Sequence, residues 1–322
     1  MTIPTDANLP EPGPDRAPAA LAGAWSRRGE VRTLAGHEVF TLDVPARENE
    51  LGAPLLVLHG FPSSSFDFAT VLDELSRDRR VLLFDMLGYG WSAKPDLAYT
   101  LARQADIAIA FVAELGITEL SLLSHDMGDT VGGELLTRQA EGSWPVEIAG
   151  RVVTNGSIYI EMAQLTAGQQ LLLSLPDELI DPALAPGRDA LVASLAATFS
   201  PATDLDATVD GVPLAAHVGA QVEMILHSEG NRVLARLIRY IEERRAAQDR
   251  FTGAIETHPS PLGVVWGADD PIAVYEMATR LVRARRAATD ADTPFVTLDG
   301  VGHYPMVEAP ARFAAAVRTA LD

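Results

Sequence analysis

An aspartate stands at the sharpest change of character in the chain. In Leu120-Ser121-Leu122-Leu123-Ser124-His125-Asp126-Met127-Gly128-Asp129-Thr130, an apolar run ends in Ser124-x-Asp126-x-Gly128. The spacing small-x-reactive-x-small suits a tight strand-to-helix turn that lifts one side chain above the end of a sheet. A carboxylate is ordinarily ionised near neutral pH and needs no base before it attacks carbon. Attack on an sp³ carbon gives an alkyl ester, whose hydrolysis requires a base to activate water. His303, in Gly300-Val301-Gly302-His303-Tyr304-Pro305, is the expected base, and Asp270, in Trp266-Gly267-Ala268-Asp269-Asp270-Pro271, is expected to orient it. Asp269 competes for that role; Asp270 is preferred because it lies three residues past Gly267. Epoxides and alkyl halides suit a carboxylate nucleophile. Carboxylic esters suit it poorly, because they would leave a labile anhydride. The backbone N–H groups of Phe61 and Met127 are the expected donors to the oxyanion formed during ester hydrolysis.

These residues need a scaffold that brings distant segments to one edge. Leu55-Leu56-Val57-Leu58, Val81-Leu82-Leu83-Phe84 and Leu120-Leu123 are continuous apolar runs, the pattern of strands buried on both faces. Helical stretches follow each, which predicts an α/β fold: a doubly wound, mostly parallel sheet. Ligands in such sheets bind beyond the carboxyl ends of the strands. His59-Gly60, Asp85, Asp126, Asn155 and Gly267 all fall at those ends. A hairpin around Ala35-Gly36-His37 is expected before them. After Asn155 the alternation stops, and helices are predicted over 162–175, 190–199, 214–227 and 232–250. The expected organisation is a disordered lead-in over 1–24, a core over 25–156 and 259–322, and an inserted helical cap over 157–258, placed as a lid above the strand ends.

Composition narrows the chemistry further. The 322 residues are 48% hydrophobic and contain no cysteine, which excludes disulfides, thiolate metal sites and cysteine nucleophiles. A net charge of -19 argues against nucleic acid and anionic membrane surfaces as partners. His37, His217, His227 and His258 lack metal-ligand spacing. Gly88-x-Gly90 lacks the third glycine and the lysine of a phosphate loop. No cofactor and no metal are implied; the expected partners are a small apolar substrate and water. With no bilayer-length apolar stretch and no secretory signal, a soluble cytoplasmic protein is expected.

The stretches HGFPSSSFDF, DMLGYGWSAKP, LLSHDMGD, WGADDP and GHYPMVEAP carry a resemblance. The sequence resembles the epoxide hydrolase and haloalkane dehalogenase branch of the α/β-hydrolase fold, and within it looks closest to the mesoderm-specific-transcript-like hydrolases, from about Leu34 to the C-terminus. The order nucleophile, acid, histidine is that of the fold. The resemblance implies a hydrolase with an aspartate nucleophile. Dehalogenases of the well-known kind place halide-binding side chains after His-Gly and after the nucleophile; Phe61 and Met127 stand there and carry no such donor. Epoxide hydrolases use lid tyrosines to hold the epoxide oxygen, which points to Tyr240 and Tyr159. His59 and His125 are expected beside the substrate. Epoxide opening is the leading expectation, with dehalogenation and a hydrolase-fold binding protein of low activity as alternatives. Asp85 and Ser92 are expected to fix the turn between them, and Glu242-Glu243-Arg244-Arg245 to form a solvated helix face.

Overall fold

The structure is a computed structural model that describes residues 17–321. Its centre is made by the apolar runs. Strands β3 (Leu55–Leu58) and β4 (Val81–Phe84) are buried at every position, and β5 (Glu119–His125) is buried from Leu120 onward. Helices cover both faces, so these strands show no polar alternation. With β1 (Glu30–Leu34), β2 (His37–Val44), β6 (Glu147–Thr154), β7 (Leu262–Gly267) and β8 (Phe295–Leu298), they form an eight-stranded sheet in the order β1-β2-β4-β3-β5-β6-β7-β8. The pairs β1/β2 and β2/β4 are antiparallel and the others parallel. The hairpin turns at Ala35 and Gly36, both at positive φ (48° and 82°), as a two-residue turn between twisted strands requires. In register, Leu58 lies opposite Ser124, and His125 opposite Thr154. The residues that follow β3, β5 and β6 therefore emerge side by side.

Two expectations are corrected at the level of elements. The lead-in predicted over 1–24 falls partly on residues 1–16, outside the described part, but Pro18–Ser26 is a helix that buries Leu21, Ala22 and Trp25. Leu21 and Trp25 are four apart and share one helical face. That face is covered because Trp25 meets Phe66 edge-on at 5.7 Å and donates to Ser65 Oγ at 3.1 Å. The long helix predicted over 232–250 is three pieces, Leu234–Leu237, Tyr240–Ala246 and Gln248–Thr257. The second break lies at Ala247, at φ −132° and ψ 31°. Arg239, between the first two pieces, donates to the carbonyls of Leu172, Leu173 and Leu175, so a cation caps the C-terminal end of the helix Ala167–Ser174.

The rest of the inserted region comprises the helices Ala167–Ser174, Arg188–Ala196 and Leu214–Leu226 and a two-stranded ribbon, Thr208–Val209 with Val212–Pro213. Thr166 and Gln169 form a reciprocal cap that starts the first of these helices. Arg244 corrects the solvated-face expectation. It is 1% exposed, donates to Thr130 Oγ1 and Ser157 O at 2.7 Å each, and lies 5.1 Å over the Tyr240 ring. A buried arginine is retained where hydrogen bonds replace water, and here Thr130 of the core and Ser157 at the start of the cap supply the acceptors.

Candidate active site

The turn between β5 and the helix Met127–Ala140 puts Asp126 at φ 51° and ψ −116°. A non-glycine residue at positive φ costs about 1–3 kcal/mol and persists only where its surroundings hold it. Gly128 makes the turn possible: a Cβ there would lie 2.3 Å from the carbonyl oxygen of Leu58. Gly60 is equally constrained, since a Cβ would lie 2.6 Å from the Cβ of Asp126. We expect Gly60→Ala to lower stability by about 1–3 kcal/mol through overpacking and to displace the Asp126 carboxylate. Thermal melting and kcat/KM on one preparation check this; an alanine variant with native melting and native kcat/KM would show that the approach is not tight.

The Asp126 carboxylate is 2% exposed, and its Oδ2 accepts from the Phe61 N–H at 2.8 Å. Met127 opens the following helix, where N–H groups have no carbonyl partner within the helix. One oxygen of Asp126 is thus held by the HGFP loop.

His303 is buried and its Nδ1 lies 2.8 Å from Asp270 Oδ2. Asp270 is held from three sides: Asn155 Nδ2 donates to Oδ2 at 2.8 Å, and the N–H groups of Ile272 and Ala273 donate to Oδ1 at 2.7 and 3.0 Å. Asp269, its neighbour and rival, instead accepts from Ser200 Oγ at 3.2 Å. Burial lowers the His303 pKa, but the Asp270 carboxylate, followed by Asp126 and Glu308, more than reverses this and holds it up at about 9. Glu308 also braces the histidine loop, accepting from the N–H groups of Gly302 and Tyr304 at 3.0 and 3.1 Å. Neither Asn155 nor Glu308 was assigned a part in the site from the sequence. For Asn155 the available signal was its place in register with the other strand ends.

The remaining expected contacts divide. Tyr240 is buried, and its ring centroid is 5.7 Å from that of Phe61. Burial raises the pKa of its hydroxyl, and the nearby Asp126 carboxylate raises it further, so it stays a proton donor at neutral pH. Tyr159 makes no such approach. Its hydroxyl donates to Glu256 at 2.6 Å and Arg280 lies over its ring at 3.8 Å, because the chain leaving β6 turns the side chain toward the helix Gln248–Thr257. His59 and His125 are turned to backbone. The Met86 N–H donates to His59 Nε2 at 2.9 Å, which leaves Nδ1 to donate to Gly60 O at 2.8 Å. His125 Nε2 lies 2.8 Å from the carbonyl of His303, and burial pushes its pKa down to about 4. His59 thus has both ring nitrogens on backbone, whereas His125 Nδ1 has no hydrogen-bond partner. Asp85 accepts from Ser65 N and Trp91 N at 2.9 and 2.7 Å, and Ser92 Oγ donates to Asp85 O at 2.5 Å, which ties down the turn they flank.

A cavity of about 310 Å³ reaches the site beneath the cap. Phe61, Pro62, His303 and Tyr304 line its inner end, and Leu172, Leu175, Leu191 and Leu195 are among the cap residues on its wall. Leu171 and Leu184 also line it and are 62% and 77% exposed. The wall is mostly apolar, and a hydrocarbon chain entering it loses little hydrogen bonding. Among the described residues no cluster of potential metal ligands occurs, and no helix is long and apolar enough to cross a membrane.

Comparison with known proteins places this arrangement. Residues 55–316 match the family model described as the alpha/beta hydrolase family. The chain is 37% identical over 298 residues to the putative hydrolase LipZ of Mycobacterium tuberculosis, covering 92% of this chain and 96% of LipZ. It is 31% identical over 311 residues to the mesoderm-specific transcript protein of Mus musculus, covering 94% and 88%. The crystal structure of CarC, a serine hydrolase involved in carbazole degradation, superposes with a TM-score of 0.66 at 21% identity over 91% of this chain and 98% of that one, a likeness of fold. The family model spans most of the sheet and the cap, and both relatives align nearly end to end: the chain belongs to the alpha/beta hydrolase family.

Proposed function

We propose that the protein is a hydrolase that works through a covalent alkyl ester on Asp126, and that it opens apolar epoxides to diols. The observation that carries the reading is an aspartate at the elbow with one carboxylate oxygen already on the Phe61 N–H, 2.8 Å away. The free oxygen attacks an epoxide carbon. The held oxygen becomes the ester carbonyl and then the oxyanion, at a distance suited to such donors. His303, oriented by Asp270, draws the proton from the hydrolytic water, and the Met127 N–H is the second oxyanion donor.

Epoxide is favoured over halide by the donors present. A leaving halide needs N–H groups around it, and the side chains of Phe61 and Met127 offer none. A leaving epoxide oxygen needs an acid, and Tyr240 adjoins Phe61 with its phenol kept protonated. Removing that phenol with Tyr240→Phe is expected to slow alkylation of Asp126 by an epoxide by ~10²-fold, the usual effect of losing one transition-state donor. Rapid-quench kinetics with excess enzyme measure that step directly; an unchanged rate would remove Tyr240 from the mechanism. The covalent route itself is tested by a single turnover in ¹⁸O-water with styrene oxide. The first product should carry ordinary oxygen and the label should enter the peptide containing Asp126. Label passing straight into the first product would defeat the proposal.

A further inference from the structure

The cavity beneath the cap runs from buried catalytic groups to the surface. Phe61, His303 and Tyr304 line it and are buried. Leu171 and Leu184 line it too and are exposed, so it opens between the helix Ala167–Ser174 and the turn that precedes Arg188–Ala196. Among the described residues, no lysine, arginine, aspartate or glutamate is part of its wall. Its polar side chains are engaged within the cap. The Thr166 N–H donates to Gln169 Oε1 at 2.9 Å, the Gln169 N–H to Thr166 Oγ1 at 3.2 Å, and Thr198 Oγ1 to Leu195 O at 2.6 Å.

The surface around the opening is acidic. Over residues 162–200, Asp177, Glu178, Asp181 and Asp189 are all exposed, and Arg188 is the one basic residue. Asp189 adjoins Ala190, and Glu178 is two residues from Ile180; Ala190 and Ile180 both line the cavity. Arg188 is paired with Glu223 at 2.7 Å. In the neighbouring segment, Arg232 donates to Ile180 O at 3.0 Å, Arg236 pairs with Asp96 at 2.7 Å and Asp177 at 3.5 Å, and Arg239 donates to the carbonyls of Leu172 and Leu173. Each of these cations is already engaged, whereas Glu178 and Asp189 stand at the opening without an ion-pair partner.

We propose that the substrates are epoxides of long, uncharged alkyl chains, and that the acidic rim turns away the corresponding epoxy acids. This rests on the epoxide reading above and narrows it. The epoxide lies at the inner end beside Phe61 and His303, and the chain runs along the leucines to emerge between Leu171 and Leu184. Each CH₂ that leaves water for this wall strengthens binding about three- to fourfold. The far end of the chain decides the rest. A carboxylate there either loses its water between the leucines or sits among like charges with no free cation to receive it. A methyl or hydroxyl end does neither, since a hydroxyl at the opening keeps its water.

The test compares kcat/KM for 1,2-epoxybutane, 1,2-epoxyhexane, 1,2-epoxyoctane and 1,2-epoxydecane, and for 10,11-epoxyundecanoate against 10,11-epoxyundecan-1-ol. Mass spectrometry follows the adduct on Asp126, and melting temperatures check the fold of each variant. In the wild type kcat/KM should rise about three- to fourfold per added CH₂ and level off once the tail emerges. The acid should lag the alcohol by about tenfold or more at low ionic strength, and the gap should narrow as salt is added. Glu178→Lys combined with Asp189→Lys should raise the acid-to-alcohol ratio severalfold, a gain that mere loss of structure would not produce. Leu184→Asp should lower the epoxydecane-to-epoxybutane ratio. If these epoxides alkylate Asp126 but kcat/KM is flat from epoxybutane to epoxydecane, or the acid reacts as well as the alcohol at low salt, this proposal is overturned and the chemistry of Asp126 stands. A wild type that none of them alkylates overturns both proposals together.

Discussion

Asp126→Asn should leave the protein folded and abolish covalent turnover, with a loss of at least ~10⁴-fold in kcat, the scale expected when a nucleophile is removed from a cooperating set. The substitution is nearly isosteric. The amide oxygen can still accept from the Phe61 N–H, now at 2.8 Å from Asp126 Oδ2, and the elbow keeps its backbone at φ 51°. What disappears is the carboxylate oxygen proposed to attack. The amide is a far weaker nucleophile, and no nearby cysteine can substitute, because the chain has none. Ser124 cannot take over either: its hydroxyl donates to Asp129 Oδ1 at 2.5 Å, below the elbow. Intact-protein mass spectrometry after incubation with an epoxide checks the result. The wild type should gain the mass of one epoxide during turnover and the variant none. A variant that keeps even a hundredth of wild-type turnover without an adduct would mean that water, not Asp126, attacks the substrate.

His303→Gln should produce the opposite trace: alkylation proceeds, one equivalent of substrate is consumed, and the alkyl-enzyme persists. General-base removal is worth roughly 10²–10⁴-fold on the step it serves. On the proposed mechanism, the electrostatics assign the histidine to the second step rather than the first. In the resting protein His303 is held up at about 9, because the Asp270 and Asp126 carboxylates outweigh its burial. At neutral pH it is therefore cationic and cannot accept a proton. Alkylation turns Asp126 into a neutral ester and removes one of the charges that raise the histidine, while burial goes on lowering it. Its pKa falls, and the imidazole becomes a base only once there is an ester to hydrolyse. The rate of ester breakdown should accordingly rise with pH, with an inflection below the value of about 9 that holds before alkylation. Rapid-quench measurement of adduct decay across pH checks this. Fast adduct decay in His303→Gln, or a breakdown rate flat in pH, would show that another group activates the water.

How far the site could be read beforehand differs from residue to residue. The Asp126 turn was legible because its requirements are local: an apolar strand, small residues at the two flanking positions, and a helix that follows. The pairing of His303 with Asp270 rather than Asp269 was approached through spacing from Gly267, and in the structure the N–H groups of Ile272 and Ala273 hold Asp270 in that orientation. Tyr159 and Tyr240 show the limit. Both are cap-region tyrosines in the sequence, yet one is spent on Glu256 and the other adjoins Phe61. The position of Tyr159 just after a strand already set it apart from Tyr240, late in the inserted segment, but the partners that each one meets lie about a hundred residues away or more.

The sequence by itself determined the strand runs, the strand-and-turn logic around the elbow, the absence of thiol chemistry, and the helical nature of the inserted segment. Each depends on side-chain periodicity or on residue type over a short window, and such signals survive without knowledge of the fold. The tertiary structure alone decided where the cap helices break, that Arg244 is buried against Tyr240, that both ring nitrogens of His59 meet backbone, and that Ser63 and Gln221 both meet Asp67. A buried polar group takes whichever partner comes within about 3 Å of it, and leaving it without one is costly. Which partner arrives is set by how separate elements pack, a property of the assembled chain that no local window contains.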